Sequence, residues 1–434
     1  KFRPYLQNSF TITSKAFDQS SILTRNIQHT NPSSYPTSKN LPIFITTKPT
    51  ALNQRFYSLD VFRGATVALM ILVNNPGSWS HIYAPLKHAP WHGCTPTDLV
   101  FPFFLFAVGN AMAFVMPKLQ QGGDGMFWKK VLKRTVLIFG IGLLLHLSPF
   151  IKWSNNELVV KTLDSLRIMG VLQRIALCYF FASVIVYYFK QRGAFVTAAI
   201  LLLFYWLLSL LLGTPGDPYS LEGWFGNNID KAILGEAHLY RGEGVPFDPE
   251  GLMSTFAAIV QVIFGYLVGD YIQKKGKTFD MIASLFVMAT ILTVTGLAWD
   301  MVFPINKKIW TSSYTIYTTG LAMFTIATMI YFIEMKQAKG WLTKFFDVFG
   351  KNPLFIFVLS GFLPRALGLI RIPNGFNAEG VPKYLSPFGW FYEKVCKLVP
   401  GIPENGSLVY AISMIIMYWA ICYWLDKKKI YIKV

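Results

Sequence analysis

Apolar residues in this chain are gathered into long segments from about residue 55 onward. Each segment is roughly 20 residues long, which is the length that an α-helix needs to cross the hydrocarbon core of a bilayer. The pattern therefore predicts an all-α, polytopic integral membrane protein with about ten transmembrane helices. The predicted segments are 58–75, 98–116, 131–149, 166–189, 194–212, 252–272, 279–300, 312–333, 352–370 and 407–425.

Residues 1–54 have a different composition. They are rich in Ser, Thr, Asn, Pro and Lys, and no apolar period runs through them. A segment of this kind buries too little apolar surface to fold by itself, so we expect a disordered or poorly ordered cytoplasmic tail. It also contains no apolar run long enough for a secretory signal peptide. The second predicted domain, 55–434, is the transmembrane domain.

The overall composition favours a membrane protein as well. The chain is 53% hydrophobic and only 14% charged, whereas soluble domains carry roughly 25% charged residues. Its net charge of +18 would indicate nucleic-acid binding in a soluble protein. Cytoplasmic loops of membrane proteins are enriched in Lys and Arg, however, so we expect no nucleic-acid partner. The four cysteines have the spacing of neither a zinc site nor a disulfide scaffold.

The loops alternate in charge along the chain. Lys and Arg are concentrated in the loops on the same side as the tail, for example within 117–134 and 426–433, while the long loop 213–251 of the opposite side is acidic. Because positively charged loops stay in the cytoplasm, this alternation predicts that both termini are cytoplasmic. The loop 75–97, between the first two helices, then faces outward.

This outward loop holds the strongest candidates for catalysis. His88 lies within it, Asn74 ends the helix before it and Asp98 begins the helix after it. A carboxylate can hold an imidazole in one tautomer and increase its basicity, and an amide can donate a hydrogen bond to an oxyanion. The three residues indicate acyl transfer to an amine or a hydroxyl, with His88 as general base. His92 follows four residues later, but Pro90 between them argues against a helical metal site, and we predict no metal.

Charged residues inside the predicted helices also need an explanation, because a charge in the membrane is costly. Arg167 and Arg174 share one helix face, where they are candidates for binding the phosphates of a donor. The alternative is that they pair with acids on other helices, for which Asp60, Asp98 and Asp300 are available. Asp60 itself lies three residues before Arg63 and indicates either a structural ion pair or a ligand contact.

Other polar residues at helix ends are further candidates, although helix capping is the favoured alternative for the serines. The residues predicted to bind the acceptor substrate are Asp60, Arg63, Trp91, Asp248, Glu250, Lys307 and Trp310. The residues predicted to bind the donor are Arg167, Arg174, Ser312, Ser313 and Asn352.

A series of short motifs in the same order along the chain resembles the heparan-α-glucosaminide N-acetyltransferase family. The motifs are SLDVFRG (58–64), VN (73–74), KHAPWHG (87–93), DLVFP (98–102), RIMGVLQR (167–174), DPEGL (248–252), PINKK (304–308), WTSS (310–313) and GKNP (350–353). The resemblance implies acetyl-CoA, taken from the cytosolic side, as co-substrate, an amino-sugar acceptor on the outer side, and a homodimer. It also implies that His88 is the active-site histidine and Asn74 its companion.

The family's animal members add a luminal domain and one further span at the N-terminus, and the chain resembles the shorter bacterial members. We therefore expect a protein of the bacterial inner membrane, surrounded by lipid, with its active-site mouth facing outward. The predicted reaction moves an acetyl group to the amine of a glucosamine-type sugar, with His88 as general base or as transient acetyl carrier. N- or O-acylation of another envelope glycan is an alternative. A transporter of an anionic solute is the alternative from another class, although we find no inverted repeat in the sequence.

Overall fold

The computed structural model describes residues 55–154, 156–378 and 380–432, so the predicted tail at 1–54 lies outside the described residues. Within these ranges the chain is mostly helical. The helices are α1 (Tyr57–Asn74), α2 (Val100–Gln121), α3 (Gly123–Leu147), α4 (Val171–Leu212), α5 (Phe225–Leu234), α6 (Thr255–Lys275), α7 (Phe279–Asp300), α8 (Ser312–Ile330), α9 (Trp341–Lys351), α10 (Pro353–Leu367), α11 (Pro387–Lys394) and α12 (Pro403–Lys427). Two antiparallel hairpins pair β1 (Ile151–Ser154) with β2 (Glu157–Val160), and β3 (Ile372–Phe376) with β4 (Pro382–Leu385).

The predicted fold class, an all-α polytopic membrane protein, is confirmed. Seven of the described helices are long and apolar enough to cross a membrane, or eight if α9 and α10, which meet at 78°, are counted as one broken span. Besides this broken span, the smaller count than expected has two causes. α3 carries Lys and Arg through its first half, which leaves 135–147 as an apolar part shorter than a full span. α4 joins two of the predicted segments in one helix of 42 residues.

α4 is a helical hairpin. Lys190 interrupts it with φ 57° and ψ −164°, whereas a straight helix of that length would extend about 63 Å. Arg174, near its start, lies over the ring of Trp310. Tyr205, near its end, donates a hydrogen bond to the neighbouring Ile309 carbonyl. The two distant parts of α4 thus contact the adjacent residues Trp310 and Ile309, so the chain must turn back at Lys190. α4 therefore corresponds to two antiparallel helices, as the two predicted segments require.

The loops gather at two ends of the helices, which we call the tail end, where α1 begins, and the His88 end. At the tail end, Arg63 of α1 donates a hydrogen bond from Nε to the Gly350 carbonyl at 2.8 Å. The backbone N–H of Ser58 donates to Glu334 at 3.0 Å, and Lys277 pairs with the same carboxylate at 2.6 Å. These contacts bring the starts of α1 and α7 together with the ends of α8 and α9.

Close packing of α2 on α6 positions the first part of the candidate site. A Cβ atom on Gly109 would lie 2.1 Å from the Val262 carbonyl oxygen, and one on Gly265 would lie 2.2 Å from that of Phe106. Small residues at such contacts let two helix backbones approach each other inside a membrane. The start of α2, which directly follows Asp98, is thereby fixed against its neighbours.

Candidate active site

His88 and Asp98 form a hydrogen-bonded pair at the His88 end, with Nδ1 2.6 Å from Oδ1. Asp98 lies in a 3-10 turn that begins after Thr95 and leads into α2. Its second oxygen, Oδ2, accepts hydrogen bonds from the backbone N–H groups of Ala89 and Thr95 and from the Thr95 hydroxyl, each at 3.0 Å. The carboxylate is only 1% exposed, so these bonds fix it rigidly.

This geometry defines the tautomer of His88. An ionised carboxylate only accepts hydrogen bonds, so the Nδ1 atom facing Asp98 carries the proton. The Nε2 atom then keeps its lone pair, and the imidazole, which is 42% exposed, presents that lone pair as a base. The predicted association of His88 with Asp98 is therefore present in the structure, and the catalytic role of the pair stays a prediction.

Lys307 is the third titratable side chain at this pair. Its Nζ lies 3.2 Å from Nδ1 and 3.4 Å from Nε2 of His88, and 3.8 Å from Oδ1 of Asp98. A backbone hydrogen bond of 2.7 Å from Gly93 to Ile305 ties the histidine loop to the loop that carries Lys307. Burial lowers the pKa of Lys307, against the opposing effect of the Asp98 charge.

One cavity of about 80 Å³ brings two of the three catalytic candidates, His88 and Asn74, together with the lysine. His88, Asn74 and Lys307 line it, and so does Glu250. The Asn74 side chain makes no hydrogen bond to any part of the chain that the structure describes, so its amide is free to donate to a ligand. The other lining residues are mostly apolar and are Met70, Val73, Thr97, Val100, Phe101, Phe104, Val171, Ile175 and Phe357.

Other titratable residues of the loop are less suited to catalysis. Burial raises the pKa of the Cys94 thiol to about 12, so the nucleophilic thiolate is scarce at neutral pH. Burial lowers the pKa of His92. Within 55–154, 156–378 and 380–432, no group of three or more His, Cys, Asp and Glu side chains is placed to hold a metal ion.

Arg167 forms an ion cluster beside the cavity rather than an unpaired cationic site. It donates to the Asp248 carboxylate at 2.9 and 2.7 Å, and to Glu250 at 2.6 Å. Burial opposes the charge on Arg167, but the bonds and charges of these two carboxylates raise its pKa overall. The structure shows ion pairing, as the predicted alternative had it, but with other partners. The partners are these two loop residues and not the acids of other helices that we expected.

Two of the other candidates are part of the protein core. Arg174 is wholly buried, with Nη2 3.0 Å from the Gly251 carbonyl oxygen. Trp310 is 1% exposed and packs edge-on against Phe101 and Tyr314. Neither lines the cavity that contains His88.

The five predicted donor-binding residues are not brought together by the fold. Ser312 donates to the Leu202 carbonyl at 2.8 Å, and Ser313 to the Phe303 carbonyl. The favoured alternative for these serines, helix capping, is also not what they do, because Thr311 caps α8 through a bond from the Tyr314 N–H. Asn352 lies far from them, at the tail end, and its amide bonds to backbone groups of 430 and 432.

The residues that sequence reasoning missed lie in a basic cavity of about 290 Å³ at the tail end. Arg63, Arg134 and Lys351 line it. The Arg134 guanidinium lies 4.8 Å from the centre of the Tyr179 ring, and its Nε has no partner in the described parts of the chain. Lys351 is part of the motif GKNP, so the sequence offered a signal for it. For Arg134 the sequence offered only its position in a basic segment.

These cavities adjoin one another. A further tail-end cavity of about 320 Å³ contains Asp60 and Arg63, whose side chains pair at 2.8 Å as their spacing predicts. It shares Arg63 with the basic cavity, together with two alanines of α2. The basic cavity in turn shares Phe104 and Ile175 with the cavity at His88. A row of cavities therefore runs from the tail end to His88, and these two apolar side chains separate its last two members.

Trp91, the remaining substrate candidate, lies near the site but is already engaged. Its indole Nε1 donates to the Tyr219 carbonyl at 2.8 Å, and the Lys308 ammonium lies 5.6 Å from the centre of its ring. Lys308 also pairs with Glu243 at 2.6 Å. Trp91 therefore packs beside the site in the structure, held by Tyr219 and Lys308, and its contact with a substrate stays a prediction.

Comparison with known proteins agrees with the motifs. Residues 55–226 match the family model described as heparan-alpha-glucosaminide N-acetyltransferase, catalytic. Two curated proteins of that name are similar to this chain. The human protein is 28% identical over 361 residues, which cover 71% of this chain and 53% of that protein. The mouse protein is 26% identical over 434 residues, which cover 88% and 60%. The chain thus spans little more than half the length of these relatives, and the predicted resemblance to their family is confirmed.

Proposed function

We propose that this chain is a transmembrane N-acetyltransferase. In this proposal, acetyl-CoA binds at the tail end and its acetyl group passes to the amine of a glucosamine-type sugar at the His88 end. The observation that carries the proposal is the row of cavities from the basic residues to His88 and Asp98. A donor with phosphates at one end and a thioester on a long, thin arm has the charge distribution and the shape that such a row accommodates.

The chemistry follows from the lone pair on Nε2 of His88. The acceptor amine attacks the acetyl carbonyl carbon while Nε2 takes the amine proton, and the carbon–sulfur bond breaks to release CoA as its thiol after protonation. Asp98 stabilises the imidazolium that forms. In the alternative route Nε2 attacks the carbonyl first, the carbon–sulfur bond breaks to release the CoA thiolate, and the amine then takes the acetyl group from Nε2. Both routes develop an oxyanion, to which the Asn74 amide and the Lys307 ammonium donate.

A direct assay tests the proposed function. Purified protein in detergent is incubated with radiolabelled acetyl-CoA and glucosamine, and label on the sugar is the expected result. Binding of acetyl-CoA without transfer to glucosamine or to any of a panel of envelope glycans would contradict acetyl transfer. Absence of acetyl-CoA binding would instead favour the transporter.

The phosphates of the donor are assigned to the basic cavity. The Nε of Arg134 is without a partner in the described parts of the chain, and guanidinium groups bind phosphate through two parallel hydrogen bonds. We expect Arg134→Gln to raise KM for acetyl-CoA by about 10- to 100-fold, because one or more charge-assisted hydrogen bonds are lost. KM for glucosamine should stay the same. Steady-state kinetics with each substrate varied in turn measures both values.

The matched control is Lys118→Gln, which removes an exposed positive charge from the same end of the molecule without touching the cavity. It should leave both KM values unchanged. An equal rise for the two variants would mean that general electrostatic attraction, and not the basic cavity, binds the donor.

Asn74 is assigned to the oxyanion. We expect Asn74→Ala to lower kcat by about 10²- to 10³-fold, the usual effect of removing one oxyanion donor, with the dissociation constant for acetyl-CoA unchanged. Asn75→Ala is the control, because the Asn75 amide is already bonded to the Ile71 carbonyl at 2.9 Å. Loss of activity only in Asn75→Ala would contradict the assignment, because Asn75 and not Asn74 would then stabilise the oxyanion.

The remaining features of the proposal rest on the family resemblance and on the charge of the loops. We place the tail end in the cytosol, the His88 end outside the bacterial inner membrane, and the protein in a homodimer surrounded by lipid. The positive-inside rule supports this orientation, because the basic loops gather at the tail end.

A further inference from the structure

Lys307 has contacts that a contribution to the oxyanion does not explain. Its Nζ lies 3.4 Å from Nε2 of His88, the atom that takes the proton of the acceptor amine in the proposed reaction. It also lies 3.8 Å from Oδ1 of Asp98. An oxyanion donor has only to face the substrate, whereas this amine is also within reach of the atom that gains a proton.

The neighbouring lysine, Lys308, has a different environment. It donates to the Pro90 carbonyl at 2.8 Å and to Glu243 at 2.6 Å, and these bonds hold two loops together. Lys307 lines the cavity of His88, and among the described residues the imidazole of His88 is the only hydrogen-bond partner of its amine. The amine of Lys307 therefore does not hold the loops and is available to the substrates.

The proposed reaction produces a thiolate in this cavity. A free thiol has a pKa of about 8.5, so an alkyl thiolate is a base at neutral pH, and apolar surroundings make it more basic. The cavity has a volume of about 80 Å³ and is lined mostly by apolar side chains. The carbon–sulfur bond therefore breaks more easily when a proton reaches the sulfur in the same step.

The surroundings of Lys307 make its proton easier to release. Besides the imidazole, Asp98 and Cys94 face it from the histidine loop, and Glu250 faces it from the loop before α6. Lys308 faces it from its own loop. Burial lowers the pKa of Lys307, and the negative charges of Asp98 and Glu250 oppose this effect. Because desolvation favours a neutral amine, Lys307 gives up a proton more readily than an exposed lysine does.

We propose that Lys307 is the general acid of the reaction and returns His88 to its starting state. As the carbon–sulfur bond breaks, the electron pair stays on sulfur, and the thiolate takes a proton from the Lys307 ammonium. The neutral amine left on Lys307 then takes from Nε2 of His88 the proton that came from the acceptor. Both side chains are restored, and the acceptor's proton is in effect passed to CoA. This inference rests on the proposed function.

The same residue serves the route through an acetylated histidine. Lys307 protonates the thiolate when Nε2 of His88 attacks the thioester, and it becomes a neutral amine. It then takes the proton of the acceptor amine when that amine attacks the acetyl group on Nε2. A role for Lys307 in proton transfer therefore does not depend on which route the enzyme uses.

Lys307→Arg tests the proposal, because a guanidinium keeps the positive charge and the donors but does not release a proton. We expect kcat with acetyl-CoA and glucosamine to fall by about 10²- to 10⁴-fold, the usual contribution of general acid–base catalysis. Lys87→Arg is the matched control, because Lys87 is an exposed lysine next to His88 that does not line the cavity. Near-normal kcat in Lys307→Arg would overturn the proposal, since His88 itself would then protonate the thiolate.

A change of leaving group separates a lost acid from a distorted site. S-acetyl-4-nitrothiophenol releases an aryl thiolate that is a weak base and needs no proton, whereas acetyl-CoA releases an alkyl thiolate. Relative to the wild type, Lys307→Arg should lose about 10²- to 10⁴-fold in kcat/KM with acetyl-CoA and less than about tenfold with the aryl thioester. An equal loss with both donors would contradict proton transfer and leave Lys307 only as an oxyanion donor.

The pH dependence gives a reading that requires no variant. The kcat of the wild type should fall at high pH as Lys307 loses its proton, and the fall should lie below the pKa of an ordinary lysine because burial lowers the pKa of Lys307. A wild type without this fall would overturn the proposal. In Lys307→Arg the residual activity should not fall in that range, since the guanidinium stays protonated. The same fall in the variant would assign it to another group.

The activity of the wild type separates this inference from the proposed function. Acetyl transfer by the wild type, with near-normal kcat in Lys307→Arg, would support the enzyme and overturn the general acid. Absence of transfer by the wild type would contradict both. A thermal melt and acetyl-CoA binding show that the Lys307→Arg protein is folded, so that a loss of kcat in a variant that still binds the donor supports the proposal.

Discussion

The substitution His88→Ala is expected to reduce acetyl transfer to glucosamine to background while acetyl-CoA still binds. Removal of a general base costs about 10²- to 10⁴-fold in rate, and the loss is complete if Nε2 also carries the acetyl group. Binding should persist because the basic cavity with Arg134 and Lys351 lies at the other end of the row of cavities. Radiolabel transfer and equilibrium binding of labelled acetyl-CoA measure the two properties in one preparation.

His81→Ala is the matched control for this prediction. His81 lies in the same loop and is also exposed, but its nearest carboxylate, Glu404, is 4.0 Å away and it does not line the cavity. Its variant should keep normal transfer. Near-normal turnover by the His88 variant would remove the residue from the mechanism, and loss of acetyl-CoA binding in that variant would indicate a structural role instead.

Asp98→Asn is the second substitution with a large expected effect, a fall in kcat of about 10²- to 10⁴-fold. Three donors converge on Oδ2 of Asp98, two from Thr95 and one from Ala89. In the variant, these donors will orient the amide oxygen toward themselves and its NH₂ group toward His88. Nδ1 must then accept rather than donate, so the proton moves to Nε2 and the base is lost.

A kinetic assay with saturating substrates measures this effect, and a thermal melt in detergent shows whether the variant is folded. Glu404→Gln is the control, because it neutralises a carboxylate that faces a different histidine of this loop, His81. Its kcat should be unchanged. An Asp98→Asn variant that is folded and retains near-normal kcat would mean that Asp98 only holds the loop in place.

The sequence by itself determined the parts of this protein that depend on local properties. An apolar run has to form a helix in a bilayer, because its backbone must satisfy its own hydrogen bonds there, so the runs predicted most of the spans. The relation between His88 and Asp98 was also local. Only ten residues separate the two, and the capping turn at Thr95 ends this stretch, so their side chains are kept close together. They pair at 2.6 Å.

Only the tertiary structure decided which polar residues share a cavity. Lys307 meets His88 from a loop more than two hundred positions away, and Arg63, Arg134 and Lys351 meet from three different helices. Contacts between residues so distant in sequence depend on how the helices pack. A pattern of apolar and polar positions does not show which acid a distant arginine or lysine pairs with. Arg167, which the sequence suggested as a phosphate ligand, is in fact neutralised by loop carboxylates. The basic cavity that we assign to the donor is visible only in the tertiary structure.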